Sequence, residues 1–196
     1  MIFITVGTHE QPFDRLLECV DKMIDDGIIK EEVICQKGYS TYEPKNYIAE
    51  KLISYEQMQE NIKKARIVIT HGGPASFLDP LKYGKIPVVV PRKKEFNEHV
   101  NDHQLEFSRQ VEKRMKNIIV AEDDNQIIDA IINYDKKVKK LNNKNSSNNK
   151  RFCDLLKEEI EKIIKGWLCG FKSRKEKFLW LYIIVYYFVC KLWDTI

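Results

Sequence analysis

The chain has 196 residues, 43% of them hydrophobic, with 33 Lys or Arg against 29 Asp or Glu and a mean hydropathy of −0.43. That content excludes an intrinsically disordered chain, and the length allows one ordinary domain with appendages. Residues 136–196 hold fifteen basic and six acidic side chains, which leaves 18 basic and 23 acidic in residues 1–135. A mildly acidic body offers no basic stripe to track phosphates, so nucleic acid is not the expected partner; the basic, aromatic tail points to a membrane surface. Five cysteines (Cys19, Cys35, Cys153, Cys169, Cys190) without CxxC spacing read as reduced thiols, not a secreted disulfide framework. Ile2 enters a core strand with no basic leader before it, so no secretory signal is expected and a cytoplasmic chain is.

Taken in chain order, Ile2 to Val6 reads as a buried strand closed by a Gly7-Thr8 turn. A helix from about Pro12 to Asp26 follows, with Phe13, Leu16, Leu17, Val20, Met23 and Ile24 on one face and Gly27 as its stop. Glu32 to Gln36 is a second strand, Lys37 to Lys45 a Gly- and Tyr-containing loop, Tyr47 to Ile53 a third strand, and Tyr55 to about Lys64 a short helix.

The stretch from Arg66 to Gln104 carries the chemistry. Ile67 to Thr70 is an apolar strand that turns at His71-Gly72-Gly73 into a helix opening on Pro74, Ala75 and Ser76 and ending at Gly84. The N-terminus of such a helix holds about half a positive charge and unsatisfied N–H groups, which suit a diphosphate. Ile86 to Val90 forms the next strand, closed by Pro91, and a polar loop leads to Asp102-His103-Gln104 within a helix from about His99 to Arg114. Strand Asn117 to Ala121 and a helix from about Asn125 to Lys137 complete the repeat. Alternating strands and helices predict an α/β fold with a doubly wound parallel sheet. In such a sheet the two glycine turns, Gly7-Thr8 and His71-Gly72-Gly73, share the ligand-binding edge.

This order of residues resembles the donor-nucleotide motif of GT-B glycosyltransferases, in particular the C-terminal domain of family 28. The matching positions are His71, Gly73, Ser76, Asp79, Pro87, Pro91 and His103-Gln104. The opening MIFITVGTHEQPFDRLL resembles the start of the donor-binding catalytic subunit of two-subunit bacterial capsule and exopolysaccharide transferases. The eukaryotic counterpart adds N-acetylglucosamine to a dolichol-linked sugar. The resemblance implies a Rossmann-like domain equivalent to the C-terminal half of a GT-B enzyme. It also implies inverting transfer of a sugar from a UDP-sugar to a polyprenyl-diphosphate-linked sugar. A membrane-anchored acceptor-binding subunit would complete a heterodimer at the inner face of the membrane.

Carried onto these residues, Gly7, Thr8, His71, Gly72, Gly73 and Ser76 bind phosphate, and Asp79 binds the ribose hydroxyls. His103 and Gln104 hold sugar hydroxyls, the backbone of Ile53, Ser54 and Tyr55 lines the uracil pocket, and His9 is the candidate catalytic base. Asp79 stands where the family usually has Glu, one methylene longer. The bland readings are a capping histidine at 71, a first-turn acid at 79 and a solvated helix face at 103–104.

No Asp-x-Asp is present, and HVNDH (His99 to His103) lacks the glutamate of a zinc-protease helix, so neither a metal nor a cofactor beyond the UDP-sugar substrate is expected. A non-catalytic enhancer or scaffold subunit that recruits a separate transferase is the rival reading. A nucleotide-sugar epimerase is a third, weakened by the missing second domain. Lys136 to Arg151 reads as a polar basic linker separating the domain of residues 1–135 from a tail, 152–196. That tail has an amphipathic stripe at 152–165 and thirteen uncharged residues from Phe178 to Cys190. Spanning a bilayer takes about twenty apolar residues, so an in-plane anchor or a partner-binding element is expected.

Overall fold

In the computed structural model, six parallel strands lie side by side: β1 (Ile2–Thr5), β2 (Val33–Gln36), β3 (Ile48–Glu50), β4 (Ile67–His71), β5 (Val88–Val90) and β6 (Ile119–Val120). The structure describes residues 1–141, 154–155 and 157–161. Strand order is β3-β2-β1-β4-β5-β6, with Ile2 opposite both Val33 and Ile67, and Ile69 opposite Val88. Parallel neighbours need crossovers, and α1 (Asp14–Asp25), α2 (Tyr55–Lys64), α3 (Pro74–Lys82) and α4 (His103–Met115) supply four of them; residues 37–47 join β2 to β3 without a helix, and α5 (Asp124–Ile132) and α6 (Tyr134–Lys140) follow β6. This is the Rossmann-like order, in which the chain reverses direction across the sheet between β1 and β4.

Successive side chains of a strand point to opposite faces, and both faces here are buried. On one, Ile2, Ile4, Ile67, Ile69, Val88 and Val90 meet Leu16, Leu17, Val20 and Met23 of α1 and Ile127 and Ile131 of α5. On the other, Phe3 and Val68 pack on Ile62 and Ala65 of and after α2, while Val89 packs with Phe77 of α3 and, around it, Phe107 and Val111 of α4. Cys19 and Cys35 are free thiols within the first cluster.

Several boundaries differ from the sequence expectations. The third strand is three residues long, at the sheet edge. The fifth starts at Val88 because Pro87 has no N–H for the ladder. Helix α4 begins at His103, not His99: residues 97–102 form a tight loop in which Asn97 takes a positive φ of 57°. The last helix of the sheet breaks at Asn133 into α5 and α6. Residues 136–140, expected to open the linker, are helical, because Tyr134, Val138 and Leu141 repeat at helical spacing and pack on the core.

A second unit comprises Ser146–Ile196, of which residues 154–155 and 157–161 are helical and exposed. The aromatic run 178–190 lies outside the described residues. Among the described residues no helix is long and apolar enough to cross a membrane.

Candidate functional site

The carboxyl ends of β1 and β4 are neighbours, with Thr5 opposite Thr70, and their chains leave in opposite directions. That places Gly7-Thr8-His9 and His71-Gly72-Gly73 at one crevice. They do not face each other across open space. The His71 ring stands between them: a Cβ on Gly7 would lie 2.5 Å from its Cε1, and one on Gly73 2.4 Å from its Nε2. Gly7 also has φ +75°, a conformation side chains rarely take. His71 Nε2 is 3.4 Å from Ser76 Oγ, and Nδ1 is sealed from solvent without a well-aligned partner.

Burial is the main reason that His71 is pushed down to about 4, with the Arg92 charge adding to it, the Thr5 backbone opposing it, and His9 and His99 contributing less. The ring is neutral at pH 7. The unfolded ring titrates near 6.5, so between pH 6.5 and 4 the unfolded state holds the extra proton and acidification favours unfolding. His99, also held below its ordinary value, first by burial and then by His103 and His9, acts in the same direction. Urea melts across this window should show stability falling at up to about 1.4 kcal/mol per pH unit, and His71→Asn should flatten the slope.

Helix α3 opens directly beside this ring. Its N-cap is Gly73, Pro74 holds the first helical position, no side chain caps the end, and Pro74 and Ala75 are exposed. Ser76 N–H is engaged by Gly73 O at 3.0 Å. Asp79 lies in the second turn, which removes the first-turn reading; it pairs with Lys82 at 2.5 Å, and its side chain keeps 25% exposure. That pairing holds the Lys82 ammonium above its ordinary range, with Tyr55 contributing. Tyr55 opens α2, which packs beside α3. Ser54 is the N-cap of α2 in a full capping box with Gln57, and Ile53 packs beneath it on the Phe3 cluster.

On the β5 side, Gln104 is buried, and its Oε1 accepts the Arg92 N–H at 3.3 Å. Gly72 is pressed against this part of α4, where a Cβ would come within 2.9 Å of Gln104 Cβ and 3.0 Å of Ser108 Oγ. Gly72 thus serves close packing of the turn on α4. Arg92, which the sequence reading passed over, is fully buried. Its guanidinium donates to the carbonyls of Val6 (2.9 Å), Gln11 (2.7 Å), Pro12 (3.3 Å) and Glu98 (3.1 Å), and it lies 4.8 Å from the centre of the Phe13 ring. Glu98 in turn binds Arg15 at 2.9 Å and accepts the Lys93 N–H. Burial brings the Arg92 guanidinium down to about 10, opposed by Glu98, so it stays charged at pH 7. The signal for it was an arginine directly after the apolar run Val88 to Pro91, with an acid six positions on.

The remaining histidines, His9, His99 and His103, come together above Arg92's loops, with ring centres 4.6 Å apart for the first pair and 4.5 Å for the second. His99 is in the loop before α4, so it and His103 do not form a helical i, i+4 pair. Among the described residues no three His, Cys, Asp or Glu are arranged to hold a metal ion.

Human UDP-N-acetylglucosamine transferase subunit ALG13 (Homo sapiens) is 36% identical over 123 residues, covering 57% of this chain and 10% of the human protein. The mouse protein of that name (Mus musculus) is 32% identical over 122 residues, with the same shares. The chain spans about a tenth of the length of the curated relatives it matches. Among solved structures, CalG4, the calicheamicin glycosyltransferase, superposes with a TM-score of 0.53 at 14% identity, over 83% of this chain and 43% of that one. At that identity the likeness is one of fold, the Rossmann-like half of a GT-B transferase. The model described as glycosyltransferase family 28 C-terminal domain matches residues 1–160, and the chain belongs to that family.

Proposed function

We propose that the chain binds a UDP-sugar at the β1/β4 edge and is the donor-binding subunit of an inverting glycosyltransferase. One observation carries the reading: the sheet order puts an uncapped helix N-terminus and two glycine turns at the point where an open α/β sheet receives ligands. The diphosphate rests on the exposed start of α3, with Ser76 beside it, and the helix dipole stabilises the charge that develops as UDP leaves, with no metal or other cofactor needed. Neutral His71 holds the two turns apart behind it. Asp79 takes the ribose hydroxyls by exchanging its Lys82 partner, and the Ile53-Ser54-Tyr55 segment borders the uracil. His103 and Gln104, with Thr8 and His9 across the crevice, flank the sugar.

UDP-N-acetylglucosamine is the first donor to test, because the curated relatives are named for it. The acceptor is a polyprenyl-diphosphate-linked sugar in capsule or exopolysaccharide assembly. A membrane-anchored second subunit presents it at the cytoplasmic face, where the basic aromatic tail, residues 152–196, holds this chain to the membrane or to that partner. Calorimetry with UDP tests the central claim. Wild-type chain should bind, and Asp79→Ala should lose about 1.5 to 3 kcal/mol, roughly 10- to 150-fold in Kd. No binding by the wild type leaves the non-catalytic scaffold in its place.

A further inference from the structure

Three imidazoles lie outside the phosphate cradle, and their protonation is decided by partners with no choice of role. The backbone N–H of Gln11 donates to His9 Nδ1 at 3.2 Å, and that of Asn101 donates to His99 Nδ1 at 3.4 Å. A backbone N–H is always a donor, so the neutral form of each ring carries its proton on Nε2. His103 is wired the other way. Its own backbone N–H points at Asn101 Oδ1 at 3.4 Å, and its Nδ1 sits against the same oxygen. An amide turned to present its NH2 there would set donor against donor, so the oxygen faces His103 and Nδ1 donates to it. The lone pair of the His103 ring is therefore on Nε2, in an exposed side chain at the first turn of α4. That turn abuts the glycine turn after β4, where Gly72 packs on Gln104.

Resting on the transferase reading above, we propose that His103, not His9, is the general base of the transfer, and that Asn101 is its positioning residue. In this step the acceptor hydroxyl oxygen bonds to the anomeric carbon of the sugar. The bond from that carbon to the β-phosphate oxygen breaks, its electron pair leaving on UDP, and the hydroxyl proton passes to His103 Nε2. A general base must accept the acceptor proton and release it again, and an exposed Nε2 lone pair lets the His103 ring do both. His9 and His99 carry their N–H on Nε2 and serve as donors. They have no lone pair to spare.

Nitrogen-15 NMR of histidine-labelled full-length chain at pH 8 reads the tautomers directly, because there are only four rings, each assigned by its loss in a His→Gln variant. His103 should show the Nδ1–H form and His9 and His99 the Nε2–H form, and Asn101→Ala should shift His103 to a mixture. Nε2–H on wild-type His103 overturns the proposal. Transfer is then measured with a UDP-sugar panel on membranes from source cells carrying each variant in place of the chromosomal copy. His103→Gln should lower kcat roughly 100-fold or more while UDP affinity of the purified chain stays within about threefold. Added imidazole should restore part of the rate to His103→Ala, which a structural defect would not permit. A wild-type rate in His103→Gln rejects the base alone, whereas failure of the wild-type chain to bind UDP, or of wild-type membranes to transfer, rejects the transferase reading beneath it.

Discussion

Replacing Arg92 with methionine should lower the stability of the α/β unit by about 3 to 5 kcal/mol, the largest single effect we expect in this protein. A buried ion pair exchanged for apolar side chains is often neutral, so the size of the loss depends on what the charge leaves behind. Here it leaves backbone. The carbonyls of Val6, Gln11, Pro12 and Glu98 all accept from this one guanidinium, and no methionine satisfies them. Glu98, itself buried, keeps Arg15 but loses the second positive charge beside it. Arg92→Lys retains the charge yet cannot fork to four acceptors spread over three segments, so it should recover less than half of the loss. Urea denaturation of the full chain followed by circular dichroism measures both. A methionine variant within about 1 kcal/mol of wild type would mean that the carbonyls find water instead.

What was legible in the sequence follows from how local its causes are. Strands β1 and β4 are continuous apolar runs bounded by glycine, and the helices between them repeat at 3.6, so the parallel sheet and the pair of turns at its edge could be placed from pattern alone. Asp79 could be found, and its first-turn reading was a miscount: with α3 opening at Pro74, as the sequence already predicts, Asp79 is the sixth helical residue and falls in the second turn. The start of α4 was misplaced by four residues: HVNDH carries helix-permissive residues, and the left-handed Asn97, the contacts of Glu98 and the Lys94 N–H donated to Asp102 hold residues 97–102 in a loop. Arg92 had only a weak signal, its place after an apolar run, for a different reason. Its partners are main-chain carbonyls at positions 6, 11, 12 and 98, and no side-chain spacing encodes them. The burial of Gln104 is of the same kind, since it depends on where Gly72 lets α4 approach.

Gly73→Ala should cost about 2 to 3 kcal/mol of stability in the wild-type background and close to nothing in a His71→Ala background. Gly73 has φ −74° and ψ 130°, which alanine adopts freely, so backbone strain contributes nothing at this position. The cost is steric. The new methyl would sit 2.4 Å from His71 Nε2 and 3.0 Å from Cδ2, and the ring cannot retreat, because Gly7 bounds its other side at the corresponding distance of 2.5 Å. Deleting the ring removes the clash and makes room for the methyl, which is why the double variant should resemble His71→Ala alone. Gly7→Ala separates the two causes. It meets the same ring but also forces alanine to φ +75°, so His71→Ala should rescue it only in part, leaving about 1 kcal/mol of backbone cost. Denaturation of the six chains, wild type and five variants, closes the two cycles, and UDP titration of each adds a functional reading. If the α3 N-terminus holds the diphosphate, Gly73→Ala should weaken UDP binding more than its stability loss alone explains, because the new methyl stands at the N-cap of that helix. Equal costs of Gly73→Ala with and without His71 would show that the ring is not what these two glycines make room for.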